Sequence, residues 1–268
     1  VQEIGGDVIF LAPDGIRTVA GTEKLDDIEL GSISRNIQPL ITNIFNASTL
    51  DSTEISSVVI REKSQYRLFY PLSNDLESVS KGIVGAIRRT PEGGITWEWS
   101  ETLGIKPRVC DSAYIGDAET VVHGGYDDGF VYQQESGNSF NGSGVQATYR
   151  TPDYDFGDIT LRKTLHTIRV FYRVEGTASI NLNVHYDYGD SDVSQPTAYT
   201  LVNSGASTIY GSTFIYGSSI YGANFEPTTK QNVEGSGFTA ALNFSTNDTN
   251  PPYSIEGFVV EFVPYYRR

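Results

Sequence analysis

The sequence predicts an all-β protein: partial β-propeller blades followed by a β-sandwich, with one short helix. Three observations carry this. The composition favours strands and turns over helices, with 27 Gly and 17 Tyr in 268 residues beside many Thr, Ser, Val and Ile. In the first half, short apolar runs are punctuated by tight-turn residues. In the second half, apolar and polar residues alternate with period two over longer runs. We therefore divide the chain into blades over 1–144 and a sandwich over 145–268. The join lies in VQATYRTPDYDFGDITLRKTLHTIRVFYRVEG, residues 145–176.

In the first half, DVIFLAPDGIRTV (7–19) reads as a hairpin turning at Pro13-Asp14-Gly15, where Pro presets φ and Gly accepts a positive one. Further hairpins are predicted over 57–70, turning near Lys63-Ser64, over 83–100, turning at Pro91-Glu92-Gly93-Gly94, and over 120–133, turning at Asp127-Asp128-Gly129. Ile33, Ile37, Leu40, Ile41, Ile44 and Phe45 recur at helical spacing, which predicts one short helix near 34–45. Ser34 is its candidate cap, and Pro39 starts or breaks it. Successive hairpins of this kind suggest propeller blades, and 1–144 supplies two to three of the roughly four that closure requires. The chain contains no Met. A complete reading frame begins with one, so the expectation is a processed chain or the C-terminal part of something longer. Further blades are then expected before Val1 or from another chain.

In the second half, residues 145–150 are extended, Thr151-Pro152-Asp153 breaks the strand and Phe156-Gly157-Asp158 turns it. Phe156, between two Asp residues, is expected to pack. Ile168, Val170, Tyr172 and Val174 form one face of the next strand. Ile180, Leu182, Val184 and Tyr186 form another, as do Phe238, Ala240, Leu242 and Phe244, and Phe258, Val260 and Phe262. Apolar faces of this kind suit two sheets packed face to face.

Residues 193–225 carry no charge and read as an excursion rich in Tyr, Gly and Ser. Within it Ile209-Tyr210-Gly211, Ile215-Tyr216-Gly217 and Ile220-Tyr221-Gly222 nearly repeat. Large rigid rings with small spacers make adaptable contact surface, and interface cores are poor in charge. The six residues Ile209, Tyr210, Ile215, Tyr216, Ile220 and Tyr221 are the candidate interface set. The competing reading is additional sandwich strands, each Tyr packed on its own sheet.

No catalytic motif is visible and no cofactor or metal is expected. Cys110 is the one cysteine, in the strand-like run RVCDSAYI without a His near it in sequence, and reads as a buried, inert thiol. Asp187, Asp190 and Asp192 lack the Gly and distal Glu of a calcium loop and read as an acidic turn. His123, His166 and His185 show no metal-ligand spacing. Gly93-Gly94 and Gly124-Gly125 lack the strand-loop-helix setting of a phosphate cradle. Asp111, Asp117 and Glu119 suggest glycoside hydrolysis on a propeller only if two carboxylates face each other across a cleft. There is no apolar run long enough to span a membrane as a helix and no signal-peptide pattern, so no membrane insertion is expected. The net charge of −14 opposes specific nucleic-acid binding. Residues 1–144 hold 21 acids against 11 bases, and 145–268 hold 12 against 8.

Several segments in order carry a resemblance: GGDVIFLAPDGIRTVAGT, LGSISRNIQPL, SQYRLFYP, ETVVHGGYDDGFVYQQESG and the RTPDYDFGDITLRKTLHTIRVFYRVEG junction. Together they resemble the nozzle proteins of short-tailed bacteriophages, the tail tubular protein B-like family, up to about residue 189. The resemblance implies a virion structural protein with a propeller and further β-rich domains. It implies a homo-oligomeric ring, a hexamer in the family, located at the distal end of the virion tail and conducting DNA. Tail adaptor and tail fibre proteins are the partners it implies. The chain departs from that family in its short N-terminal part and its Tyr-Gly repeat. An acidic lumen that repels phosphate agrees with the charge. Two other readings stand beside this one: a carbohydrate- or receptor-binding module, and a glycan-cleaving propeller enzyme.

Overall fold

The computed structural model describes residues 1–20, 32–46, 55–71, 80–126, 128–204 and 228–265. Most of these are in strands, and the protein is all-β with a short α-helix. The chain divides into two units, Val1–Gly137 and Asn138–Arg268. Just after the division, reciprocal backbone hydrogen bonds between Phe140 and Ser143 (2.9 and 3.0 Å) close a bend ahead of the expected join at 144/145.

Among the described residues the first unit contains three antiparallel sheets in chain order. The first pairs β1 (Gln2–Ile4), β2 (Asp7–Ala12) and β3 (Gly15–Thr18). The β2–β3 turn at Pro13-Asp14 falls where the turn chemistry puts it. Gly15 there has φ +145°, and a Cβ would meet Ser32 Oγ at 2.2 Å, so both conformation and space exclude a side chain. The second sheet runs β4 (Ser56–Ile60), β5 (Gln65–Pro71), β6 (Ser80–Arg89) and β7 (Ile95–Leu103) in sequence order, turning at 61–64 and 90–94 as expected. The third pairs β8 (Pro107–Ile115), β9 (Ala118–Gly125) and β10 (Val131–Gln133). Its β8–β9 turn is Gly116-Asp117, which makes the strand-like run RVCDSAYI one arm of a hairpin.

The second sheet uses both faces. Val59, Tyr66, Leu68, Tyr70 and Ile83 join Ile4, Ile9 and Ile16 of the first sheet in one core. Val58, Ile60 and Phe69, on the opposite face, join Val121 of the third sheet in another. Both faces of β4 are therefore apolar, as expected of a sheet inside a stack. Gly85 lies opposite Trp99, where a Cβ would come within 2.5 Å of the indole, so its absence lets that ring lie across the sheet. Trp97 stacks beside Trp99 at 5.4 Å.

The expected helix is α1 (Gln38–Asn46), led in by a 3₁₀ turn over Arg35–Ile37. Ser34 does not cap it with its side chain: its Oγ accepts the buried Ile16 N–H at 2.8 Å instead. Pro39 lies inside the first helical turn, where a missing N–H is no loss, so it starts the helix and does not break it. Ile41 and Ile44 bury the apolar face in the first core.

Among the described residues the second unit contains two four-stranded sheets. One runs β11 (Val145–Arg150), β17 (Ala240–Asp248), β13 (Thr177–Tyr186), β14 (Tyr199–Ser204). The other is built on β12 (Arg162–Val174). β15 (Thr228–Asn232) and β16 (Ser236–Gly237) pair with one side of β12, and β18 (Tyr253–Tyr265) pairs along the other. Each sheet turns one apolar face into a shared core of Leu165, Ile168, Val170 and Tyr172 with Ile180, Leu182, Val184, Tyr186, Leu201, Leu242 and Phe244. A register shift between Leu165 and Thr167 leaves His166 unmatched, so Leu165 and Ile168 both point inward although three residues apart. Two expectations change here. Phe238 lies outside the strand and is exposed, because the Asp187 carboxylate takes the Phe238 and Thr239 N–H groups (2.6 and 3.1 Å) and delays the start of β17 to Ala240. Tyr199–Ser204, inside the expected excursion over 193–225, is a strand of the sheet, hydrogen-bonded to β13.

Candidate functional site

The six candidate interface residues, Ile209, Tyr210, Ile215, Tyr216, Ile220 and Tyr221, lie outside the described residues, as does Asp127. The other residues singled out in sequence are placed. Asp111 and Glu119 sit on β8 and β9 with opposite orientation. Glu119 turns toward the second sheet, where its carboxylate accepts the Arg61 and Glu62 N–H groups (3.0 and 2.9 Å). Asp111 points to the other side of its sheet and accepts the Ser112 N–H at 2.8 Å. They do not form a carboxylate pair across a cleft. Asp187 and Asp190 accept backbone N–H groups of 238, 239 and 192, which is the acidic-turn role. Among the described residues no group of three His, Cys, Asp or Glu is close enough to hold a metal ion.

Strand pairing adds one neighbour that sequence distance hides. His123 lies directly opposite Cys110 across the β8–β9 ladder. Burial pushes the Cys110 thiol up to about 11, despite hydrogen bonds and the Arg67 charge that act the other way. Burial also holds the His123 imidazole below its ordinary value, against the pull of Asp128. The pair is thus a neutral thiol beside a neutral imidazole at neutral pH, with the Gln134 amide 3.3 Å from His123 Nδ1.

A different site emerges in the second unit. Among the described strands β11 ends its sheet and β18 is paired only to β12, so each has one backbone edge without a described neighbour. Between them opens a cleft of about 490 Å³, lined by Ala147, Thr148, Tyr149, Phe244, Tyr253, Ile255, Glu256, Gly257 and Phe258. Tyr149 and Phe244 are directly paired on β11 and β17, which stacks their rings at 6.4 Å. Phe258, from the facing sheet, lies 6.3 Å from Phe244. From Phe258 a line of rings continues through Tyr154 (6.1 Å) and Phe156 to Phe262 (4.7 Å from Phe156). Tyr154 is held by reciprocal backbone bonds with Ala240 (2.9 and 3.0 Å). Phe156 has a left-handed backbone, φ 52°, which aims its ring back onto the core.

The polar groups at this cleft are mostly engaged with one another. The Tyr253 hydroxyl is 3.1 Å from Thr246 Oγ1. Glu256 accepts from Ser254 Oγ (2.8 Å) and pairs with Arg173 (3.4 Å). What remains is apolar lining flanked by backbone donors and acceptors, and Tyr149 is 54% exposed. Such a site binds an extended segment by adding a strand, with main-chain hydrogen bonds for affinity and ring pockets for alternate side chains. Sequence reasoning placed Phe244, Phe258 and Phe262 on inward faces and read 145–150 as extended, but the pairing of β11 with a strand some hundred residues later has no local signature. No family model matches this chain, and no curated protein matches it.

Proposed function

We propose that this chain is a non-enzymatic structural subunit of a homo-oligomeric ring, a nozzle-like component of a short phage tail, working in assembly and passage of DNA. The observation that carries the assembly part is the cleft between β11 and β18. It is shaped for an extended polypeptide, having apolar walls and two strand edges without a neighbour among the described residues, and it carries little free polar chemistry for a small substrate. The order of sequence motifs supports the tail-nozzle part. The blade reading is supported by the three successive sheets of the first unit, stacked through their faces, with β4 beside both β1 and β8. The net charge of −14 suits a conduit that does not retain DNA.

The experiment is the mass of the purified chain by native mass spectrometry and sedimentation, with Tyr149→Asp as the perturbation. Rings in the wild type and their loss in the variant are expected. A wild type that stays monomeric at every concentration, and in the presence of tail extracts, removes the reading. A gel shift at low salt should show no DNA complex.

One observation favours a second reading, carbohydrate binding: the exposed rings of Tyr149 and Tyr154, 54% and 37% exposed, which can stack on sugar faces. In that case Tyr149→Ser abolishes glycan binding and leaves the mass unchanged.

A further inference from the structure

We infer that Arg67, Gln134 and His123 form a pH-sensitive latch between the second and third sheets, closed while the His123 imidazole is neutral and released when the ring takes a second proton. The inference follows from hydrogen-bond polarity. A guanidinium can only donate. Arg67, on β5, donates to Gln134 Oε1 at 3.1 Å, which fixes the amide with its carbonyl toward Arg67 and its NH2 toward β9. That NH2 lies 3.3 Å from His123 Nδ1. An NH2 group also only donates, so Nδ1 is the acceptor and the ring proton sits on Nε2. Gln134 is buried, 6% exposed, and its NH2 covers the Cys110 thiol with 4.0 Å to Sγ.

A protonated imidazole carries N–H on both nitrogens. Nδ1–H then meets an NH2 that has nothing to accept with. Turning the amide over satisfies the ring but sets its NH2 against the Arg67 guanidinium. Either way two donors face each other, and the tie between the sheets opens at one end. Arg67 has little with which to compensate. Its Nε is already buried without an acceptor among the described residues, and its other partners are Gln65 Oε1 at 3.0 Å and Glu135. The imidazole is held in place by stacking on Tyr132 at 5.3 Å. The Asp128 carboxylate favours the charged ring but is committed to the Phe130 N–H and the Tyr132 hydroxyl (2.9 and 2.7 Å). The remaining titratable and charged groups on this side are Cys110, opposite on β8, and, behind Gln134, Arg67 with Lys63 and Glu135. Burial holds the imidazole below its ordinary value of 6.5. A histidine depressed in this way contributes stability that is complete above the unfolded value and is lost as pH falls through the folded one. Glu135, in the same network, titrates below the ordinary carboxylate range, about 4, so the two windows are separate.

Imidazole nitrogen NMR of the full chain, which has three histidines, tests the latch together with the labelling rate of its single cysteine. The label is dithiodipyridine, which reacts with thiols from neutral pH into acid, and rates are taken relative to N-acetylcysteine at each pH. His123 should be the Nε2–H tautomer at neutral pH. Labelling of Cys110 should rise at least about fivefold as His123 titrates, because Gln134 no longer covers the thiol. His123→Phe keeps the stack on Tyr132 and should make labelling flat over that range. Gln134→Glu gives a carboxylate that accepts from both Arg67 and the imidazolium, so it should raise the His123 midpoint by about one unit or more and keep Cys110 covered in acid. If either variant fails to fold, the wild-type tautomer and labelling profile decide alone. An Nδ1–H tautomer at neutral pH, or Cys110 labelling that does not change as His123 titrates, overturns the inference. So does a His123 midpoint that Gln134→Glu leaves in place. None of these readouts depends on ring formation.

Discussion

Glu135 is held by two cations from the neighbouring sheet. Its backbone has φ 59°, uncommon outside glycine, and its carboxylate meets Lys63 and Arg67. Burial alone would raise its carboxyl; the Lys63 hydrogen bond and the Arg67 charge outweigh that and hold it below the ordinary carboxylate range. A folded-state value depressed in this way adds stability that is complete above the unfolded carboxylate's range and is lost as pH falls through the folded one. The Arg67 side chain is 12% exposed and that of Glu135 is 31%, so screening by water discounts the pair to between exposed and buried ion pairs. Glu135→Gln should cost about 1–2 kcal/mol at neutral pH and progressively less in acid. Urea unfolding at both pH values checks this, and an equal cost at both would mean that charge is not what the carboxylate contributes. Thr151 offers a neutral counterpart. It is 3% exposed, and its Oγ1 accepts the buried Leu242 N–H at 3.0 Å. Thr151→Val keeps the shape and orphans that donor, so we expect a loss of about 1–3 kcal/mol in the unfolding free energy. Thr151→Ser should lose less, because the acceptor stays.

At the scale of elements, the connection between β11 and β12 turns on Phe156. The sequence reading expected this ring to pack, and it does, against Phe262 at 4.7 Å, but half-buried. Full burial would put Phe156→Ala at about 3–5 kcal/mol; partial burial lowers the expectation to about 2–3 kcal/mol. The backbone adds a second test. Phe156→Gly also loses the ring but relieves the left-handed conformation, so it should be no more destabilising than Ala, reversing the usual order. A markedly worse Gly variant in chemical denaturation would show that φ 52° costs nothing here. The same connection shows which features were legible. Turns at 13–14, 61–64 and 90–94 were readable because Pro, Gly and Ser act within a few residues. Strand faces such as Ile180 to Tyr186 were readable because period two is local. The order β11–β17–β13–β14 was not, since its neighbours are set by core packing between distant segments, and the aromatic cleft was hidden with it. Ser34 misled for a similar reason: its hydroxyl had a choice between the helix and the Ile16 N–H, and only the fold decides it.

At the scale of the whole molecule, each core is built within a single unit. Leu68, 2% exposed, belongs to the core of the first two sheets, and Leu182, fully buried, to the core of the second unit. A unit that closes its own core unfolds as its own cooperative block unless an extensive apolar contact couples it to its neighbour. Scanning calorimetry of the chain should accordingly resolve two transitions, or one broadened endotherm whose van't Hoff enthalpy falls short of the calorimetric one. Leu182→Ala and Leu68→Ala assign them. Each removes a buried leucine at a cost of about 2–5 kcal/mol, so each should lower one transition by several degrees and leave the other in place. Residues 138–265 expressed alone should then retain the Leu182-sensitive transition at its original temperature. The two-block picture fails if both substitutions shift a single sharp endotherm equally, or if 138–265 is unfolded by itself. In either case the cooperativity of the molecule extends across the division at Gly137, and the stability of the cleft between β11 and β18 depends on the sheets that precede it.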